Sequence, residues 1–282
     1  MIKLLKSLLV ALLIPVCSYA AGWDDAEYKR IEQSIQQPKL SEKVYAITSY
    51  GAKTTASAAQ NQKAINRAIS LASKKGGKVV IPAGTWNTGA IELKSGVNLV
   101  IEEGATLRFA FEPKLYPLVR TSWEGLACWN YSPCIYAYQA KDIAITGKGT
   151  IDGGGNNDTW WQWNGNPRFG FKAGVTTESQ KLGSRSKLLK QAEDGVAFDE
   201  RKFGMGQGLR PQLINFVRSE RILIKDVKMI NSPFWVIHPL LCKNITVDGV
   251  YIWNEGPNGD GCDPEACENV LIQNCIFHTG DD

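Results

Sequence analysis

Lys243-Asn244-Ile245-Thr246-Val247, continued by Asp248-Gly249-Val250-Tyr251-Ile252, is the stretch whose pattern decides the fold. A polar pair leads into apolar, variable and apolar positions, then a short polar turn and a second apolar pair. The same form returns 25 positions later in Glu268-Asn269-Val270-Leu271-Ile272 and Gln273-Asn274-Cys275-Ile276-Phe277. It stands 23 positions earlier in Glu220-Arg221-Ile222-Leu223-Ile224, and again in Lys141-Asp142-Ile143-Ala144-Ile145 and Val97-Asn98-Leu99-Val100-Ile101. Asn98 and Asp142 are 44 positions apart, which reads as two turns of 22. Short β-branched strands between Asn/Gly turns at this period predict an all-β fold, a right-handed parallel β-helix. A leucine-rich repeat would need leucine at fixed positions and a helical return, and a sandwich would lack the self-similarity. Asn98, Asn244 and Asn269 recur at coil period, and their expected role is a turn-stabilising ladder rather than binding.

Two regions break the period. In Asn61–Lys75, Ala64, Ile65, Ala68, Ile69, Leu71 and Ala72 share one helical face, and Lys74-Lys75-Gly76-Gly77 supplies a stop. A helix there would cap the first coil, as a solenoid end requires. The second break is the 79-position gap from Asp142 to Arg221. Its polar, aperiodic middle, Trp160 to roughly Gln207, reads as one long insertion that builds the wall of a cleft. Trp160, Trp161 and Trp163 would there either stack on sugar or pack the insertion down. Arg168, Lys172, Lys181, Arg185, Lys187 and Lys190 are largely a solvated face, with one or two free to meet an anionic ligand.

At the N-terminus, Lys3 and Lys6, the apolar run Leu8–Val16 and Ser18-Tyr19-Ala20 form a secretory signal peptide, 1–20. The run is too short to span a bilayer. Residues 21–43 read as a linker and 44–282 as the β-helix domain. The protein is therefore expected to be exported, periplasmic or extracellular, with no membrane contact once the signal is removed. Six cysteines follow Cys17. Cys128 and Cys134 are spaced for a local disulfide, while Cys242, Cys267 and Cys275 suit small buried apolar sites. His238 and His278 lie at no ligand spacing from a cysteine pair, so no metal and no cofactor is expected. The net charge of +4 suits a polyanionic partner, and no nucleic-acid motif is present. A monomer is expected.

The chemistry lies at Asn258-Gly259-Asp260-Gly261-Cys262-Asp263 and Gly280-Asp281-Asp282. Asp260 and Asp281 are 21 positions apart, close to one coil, so the acids should stack on adjacent rungs. Crowded carboxylates repel, and the pKa of at least one rises, which separates a proton donor from an acceptor. That is what hydrolysis of a glycosidic bond needs.

Together these phrases resemble the polygalacturonase family of glycoside hydrolases, family 28, among the pectin-active β-helix proteins. The family's Asn-Thr-Asp-Gly-x-Asp reads here as Asn258 to Asp263, with Gly259 for Thr, a change expected to loosen the backbone. Its Gly-Asp-Asp reads as Gly280-Asp281-Asp282. Ser49-Tyr50-Gly51-Ala52-Lys53, Gly76-Gly77-Lys78-Val79-Val80-Ile81-Pro82-Ala83-Gly84, Asn231-Ser232-Pro233-Phe234-Trp235 and Ile237-His238-Pro239 extend the likeness from about residue 44 onward. The resemblance implies an inverting hydrolase of α-1,4-galacturonosidic bonds in pectin and oligogalacturonides. In it Asp281 would protonate the leaving oxygen while Asp260 and Asp282 activate water. Asn258, Asp263, His238 and Arg210 are the candidate substrate contacts. Thr121-Ser122-Trp123-Glu124-Gly125 and Asn130-Tyr131-Ser132-Pro133 are similar to exo-acting bacterial members. The family's later Gly-His-Gly and Arg-Ile-Lys elements are not found up to Asp282. The domain therefore reads as incomplete at its C-terminus, and this stretch alone is expected to be inactive. Rivals are a rhamnogalacturonan hydrolase on the same scaffold, a calcium-dependent lyase, and a non-catalytic polysaccharide-binding β-helix.

Overall fold

The repeats wind into three stacked parallel sheets in the computed structural model, which describes residues 25–175, 177–179 and 183–282. The expected signal peptide and Lys181 lie outside the described residues. The first sheet has seven strands in coil order: Val44–Ala46, Gly77–Ile81, Val97–Ile101, Lys141–Gly147, Glu220–Lys225, Lys243–Asp248 and Glu268–Gln273. A six-stranded sheet runs from Gly84–Thr88 to Ile276–Thr279, and a four-stranded sheet from Ile91–Glu92 to Ile237–Leu240. This is the right-handed parallel β-helix that the repeat predicts.

Like side chains stack from coil to coil because each rung pairs in register with the next. Val79, Leu99, Ile145, Ile224 and Val247 form one such column inside the coil, none more than 1% exposed. Burying each contributes about 1.5–3 kcal/mol. The turn before each strand needs a left-handed residue, and Asp142, Arg221, Asn244 and Asn269 take it with φ between 55° and 59°. Their side chains pair along the edge. Arg221 donates through Nε and Nη2 to Asp142 at 2.7 and 2.8 Å, and Asn269 Nδ2 donates to Asn244 Oδ1 at 3.1 Å.

Asn98 does not belong to this ladder. The register pairs Asn98 with Ala144, two places from the expected Asp142, and Gly96 (φ 74°) holds the left-handed place. The 44-residue step is also a single coil, since Val97–Ile101 pairs directly with Lys141–Gly147. Its extra length is the antiparallel hairpin Leu118–Trp123 and Leu126–Tyr131. In the same way Lys141 pairs with Glu220, so the 79-position gap is one coil carrying the long insertion.

The helix α1 (Asp25–Ser34) occupies most of the described part of the expected linker. Residues 35–43 then strap across the turn edge of the first sheet. Gln36 N donates to Asn244 Oδ1, Gln37 Nε2 to Thr246 Oγ1 and Lys39 N to Asp142 Oδ1. The capping helix α2 (Ala58–Ala72) starts at a capping box between Ser57 and Gln60. It presses Ala64, Ile65, Ala68, Ile69 and Ala72 onto the first coil. A third helix, α3 (Ser184–Glu193), belongs to the insertion.

Within the insertion, Trp160 and Trp163 are buried against Phe111, Tyr116 and Tyr131. They anchor it rather than offering faces to sugar. Cys128 and Cys134 are free, because Cys128 sits in a side cluster with Trp123 and Phe203 while Cys134 faces the main core.

Candidate active site

Backbone pairing brings the acids onto successive rungs. Val236 N donates to Asp260 O at 2.9 Å, and Gly261 N donates to Asp282 O at 2.8 Å. Gly280 N donates to Asn254 O at 3.0 Å, fixing the turn that carries Asp281. Gly259 does not loosen this stretch. A Cβ there would lie 2.6 Å from Asn254 Nδ2 and 2.8 Å from Gly256 O, so only glycine fits. Asn258, just before it, is left-handed at φ 51° and turns the chain into the acid.

The four carboxylates differ in surroundings. Asp281 and Asp282 are exposed, whereas Asp260 and Asp263 are half-sunk, and Asp260 Oδ1 and Asp263 Oδ2 are buried with no hydrogen-bond partner. Burial first, then repulsion from Asp281, Asp282 and Glu124, pushes Asp260 up to about 6. Burial and then Asp260, Asp282 and Asp281 push Asp263 up to about 7. Among the described residues none of the four has an ion-pair partner. An unneutralised acid cluster that holds protons near neutral pH is equipped for proton transfer.

Of these acids Asp281 lines a cleft of about 660 Å³. Glu255, Gly256, Pro257, Asn258 and His278 to Asp281 form one side, and Trp161, Asn164, Arg168 and Phe169 of the insertion form the other. Trp161 is fixed by its Nε1 bond to Ser232 O at 2.9 Å. A smaller hollow of about 240 Å³ adjoins it, lined by Trp123, Glu124, Glu178 and Arg185. Asn164 and Asn258 line both and meet at 3.4 Å, dividing one from the other.

Two expected substrate contacts are placed elsewhere. His238 is 0% exposed and both ring nitrogens are committed. Asn215 Nδ2 donates to Nδ1 at 3.1 Å, so the proton sits on Nε2, which donates to Glu265 Oε2 at 2.9 Å. That bond holds the Glu265 carboxyl below its usual range. Ser122 Oγ and Thr121 Oγ1 extend the network to the hairpin. His238 thus ties the hairpin to the coil beneath the acids and cannot touch substrate.

Arg210 is likewise 0% exposed and forms a two-pronged ion pair with Glu178. With its donors turned inward, it is no ligand for a substrate carboxylate. Sequence reasoning gave no role to Glu178, Asn164 or Glu124, although Glu124 stood in a phrase similar to exo-acting bacterial members. Of these, only Glu124 carries a local signal, since it stands before Gly125 in a hairpin turn with φ 45°. Glu178 stands 32 positions from its partner, in an aperiodic stretch, and left no signal.

The family model described as glycosyl hydrolases family 28 matches residues 195–282. A hyperthermoactive exopolygalacturonase from Thermotoga maritima superposes with a TM-score of 0.84 at 38% identity, over 90% of this chain and 57% of that one. Residues 195–282 thus match the family 28 glycosyl hydrolases, and the chain is similar to polygalacturonases along most of its length. Among curated relatives, a probable polygalacturonase of Vitis vinifera is 30% identical over 79% of this chain and 40% of its own length. An exo-poly-alpha-D-galacturonosidase of Dickeya chrysanthemi is 28% identical over 85% of this chain and 41% of its own. The chain thus spans about two fifths of the length of these curated relatives.

Proposed function

We propose that the protein hydrolyses α-1,4-galacturonosidic bonds of pectin with inversion at the anomeric carbon, acting from a chain end. The observation that carries this is the crowding of Asp260, Asp263, Asp281 and Asp282 on paired rungs, with Asp281 lining the cleft and with Asp260 and Asp263 pushed up to about 6 and about 7. Asp281 donates its proton to the leaving glycosidic oxygen. Asp260 and Asp282 take a proton from the attacking water on the opposite face. Inversion needs about 6.5–9.5 Å between acid and base to admit that water. Adjacent rungs lie about 4.8 Å apart, and carboxylates splayed outward from them come within that range.

The substrate is a polyanion, so a cation must meet it. Arg168 lines the cleft, and among the described residues its guanidinium has no carboxylate partner, only the Phe169 ring at 5.4 Å. We assign it to a galacturonate carboxylate. Asn258, which lines the cleft, and Asp263 are assigned to the sugar ring. Exo action is supported by the two proteins, an exopolygalacturonase and an exo-poly-alpha-D-galacturonosidase, to which the chain is similar. Export, with a pectic polysaccharide as partner and a monomeric state, completes the proposal.

The test is a digest of polygalacturonate by the protein as its natural source makes it. New reducing ends and the ultraviolet absorbance of unsaturated products are followed together. Reducing ends without absorbance, with monomer or dimer as the first product, are expected. Absorbance that rises with calcium would mean a lyase and overturn the roles given to the aspartates.

A further inference from the structure

The buried pair Glu178–Arg210 adjoins the cleft through Asn258, and its bonds reach three separate parts of the chain. Arg210 Nε meets both Glu178 oxygens at 2.9 Å, and Nη2 meets Oε2 at 2.7 Å. Glu178 Oε1 also accepts from the Arg210 backbone N–H at 2.5 Å. Nη1 donates to Pro233 O at 3.0 Å and Pro257 O at 2.5 Å, and Nη2 donates to Asn258 Oδ1 at 2.8 Å. Glu178 comes from the insertion, Pro233 from one coil, and Pro257 and Asn258 from the next. The guanidinium also lies 5.1 Å from the Phe234 ring centre.

We infer that Arg210, held by Glu178, is a positioning residue. It locks the insertion to the Pro257–Asn258 turn and thereby sets where the Asp260 carboxylate stands. The effect on catalysis rests on the function proposed above, but the effect on the turn does not. A planar fork of donors in fixed directions suits this role, and a lysine could not replace it. Asp260 follows Asn258 by two residues, and Gly259 between them is packed too closely against Asn254 and Gly256 to carry a side chain. Slackening at 257–258 is therefore passed on to Asp260. An error of about 1 Å at a reacting group costs on the order of a hundredfold in rate.

Two variants test this. The double variant Glu178→Leu/Arg210→Met removes both charges together, so neither is left buried and unpaired, and such replacements are commonly tolerated. The single variant Arg210→Lys keeps the charge and loses the fork. In both, kcat on polygalacturonate is expected to fall tenfold or more, with a smaller change in KM. Amide exchange of 256–261 is expected to quicken while that of Lys243–Asp248 holds steady.

Wild-type kcat in Arg210→Lys, or unchanged exchange at 256–261 in both variants, would overturn the inference. Faster exchange at 256–261 in the variants, with wild type and variants alike failing to cleave polygalacturonate, would leave the clamp standing and sink the proposed function instead. Should the double variant unfold, Arg210→Lys alone decides by the same two readouts.

Discussion

Replacing Asp260 with asparagine should make the protein more stable at neutral pH while abolishing most of its activity. The carboxyl is half-sunk, one oxygen has no partner, and three like charges lie near it. Its folded pKa of about 6 exceeds the ordinary 3.8. The folded state therefore holds this proton more tightly than the unfolded chain does. As pH rises from about 4 through about 6, the unfolded chain releases its proton first and stability falls. Above about 6 the whole cost is present. At about 1.4 kcal/mol for each tenfold change in acidity, the rise corresponds to about 3 kcal/mol. Partial solvent access reduces that to about 1–2 kcal/mol. Asparagine carries no charge, so Asp260→Asn escapes the cost, and Asp263 is relieved of one neighbour. Urea unfolding of both proteins at pH 4 and pH 8 measures the effect. The two should differ by less than about 0.5 kcal/mol at pH 4, and the variant should lead by about 1–2 kcal/mol at pH 8. A difference that is the same at both pH values would refute the account of a desolvated, crowded carboxylate. The gain would be stability set against function, as at other strained sites.

If Asp260 is the base, kcat/KM should fall as pH drops through about 6. A profile flat down to pH 4.5, or one that falls above pH 6 instead, would assign it another role. Asp281→Asn should lower kcat by about 10²–10⁴ with little change in KM, and a loss confined to KM would remove it from the acid's role. Arg168→Gln should raise KM for polygalacturonate several-fold and flatten its dependence on salt; an unchanged KM would leave the substrate carboxylate without its assigned partner. Asn244→Ala breaks the ladder bonds to Gln36 N and Asn269 Nδ2 and should cost about 1–3 kcal/mol in thermal or urea unfolding. A loss below about 0.5 kcal/mol would make the ladder incidental.

The β-helix was legible because its cause is local. Each coil must turn before its first-sheet strand, each turn needs a left-handed residue, and Arg221, Asn244 and Asn269 mark that place in sequence. The same logic explains the error at Asn98. Polarity suggested Asn98 as the ladder residue, but the backbone needs positive φ, which Gly96 supplies more easily. The 44-residue step misled for a different reason. A coil plus a hairpin is as long as two coils, and length alone cannot separate them. The acids were legible because Asp260 and Asp281 are tied to the coil period. Arg210 and His238 were not, since whether a polar side chain faces water depends on what covers it. Their covers are Glu178, from an aperiodic insertion, and Glu265, 27 positions away.

Those two misplacements share a physical sense. A cleft that takes the proposed polyanion would gain from cations at its surface, yet Arg210 is spent inside while four carboxylates stand without an ion-pair partner among the described residues. The fold accepts that imbalance in one way only, by keeping protons on the buried pair. With Asp263 at about 7 and Asp260 at about 6, the cluster sheds roughly one negative charge as pH falls toward 6.5. Repulsion of a galacturonate chain weakens over that same range. If Asp260 is the base, it is itself protonated below about 6 and can no longer activate water. On the proposed roles, binding then improves in the direction in which catalysis fails. The buried arginine makes this compatible with a fixed site, because its charge, balanced by Glu178 and shielded from solvent, holds the Asp260 turn in place at either end of that range.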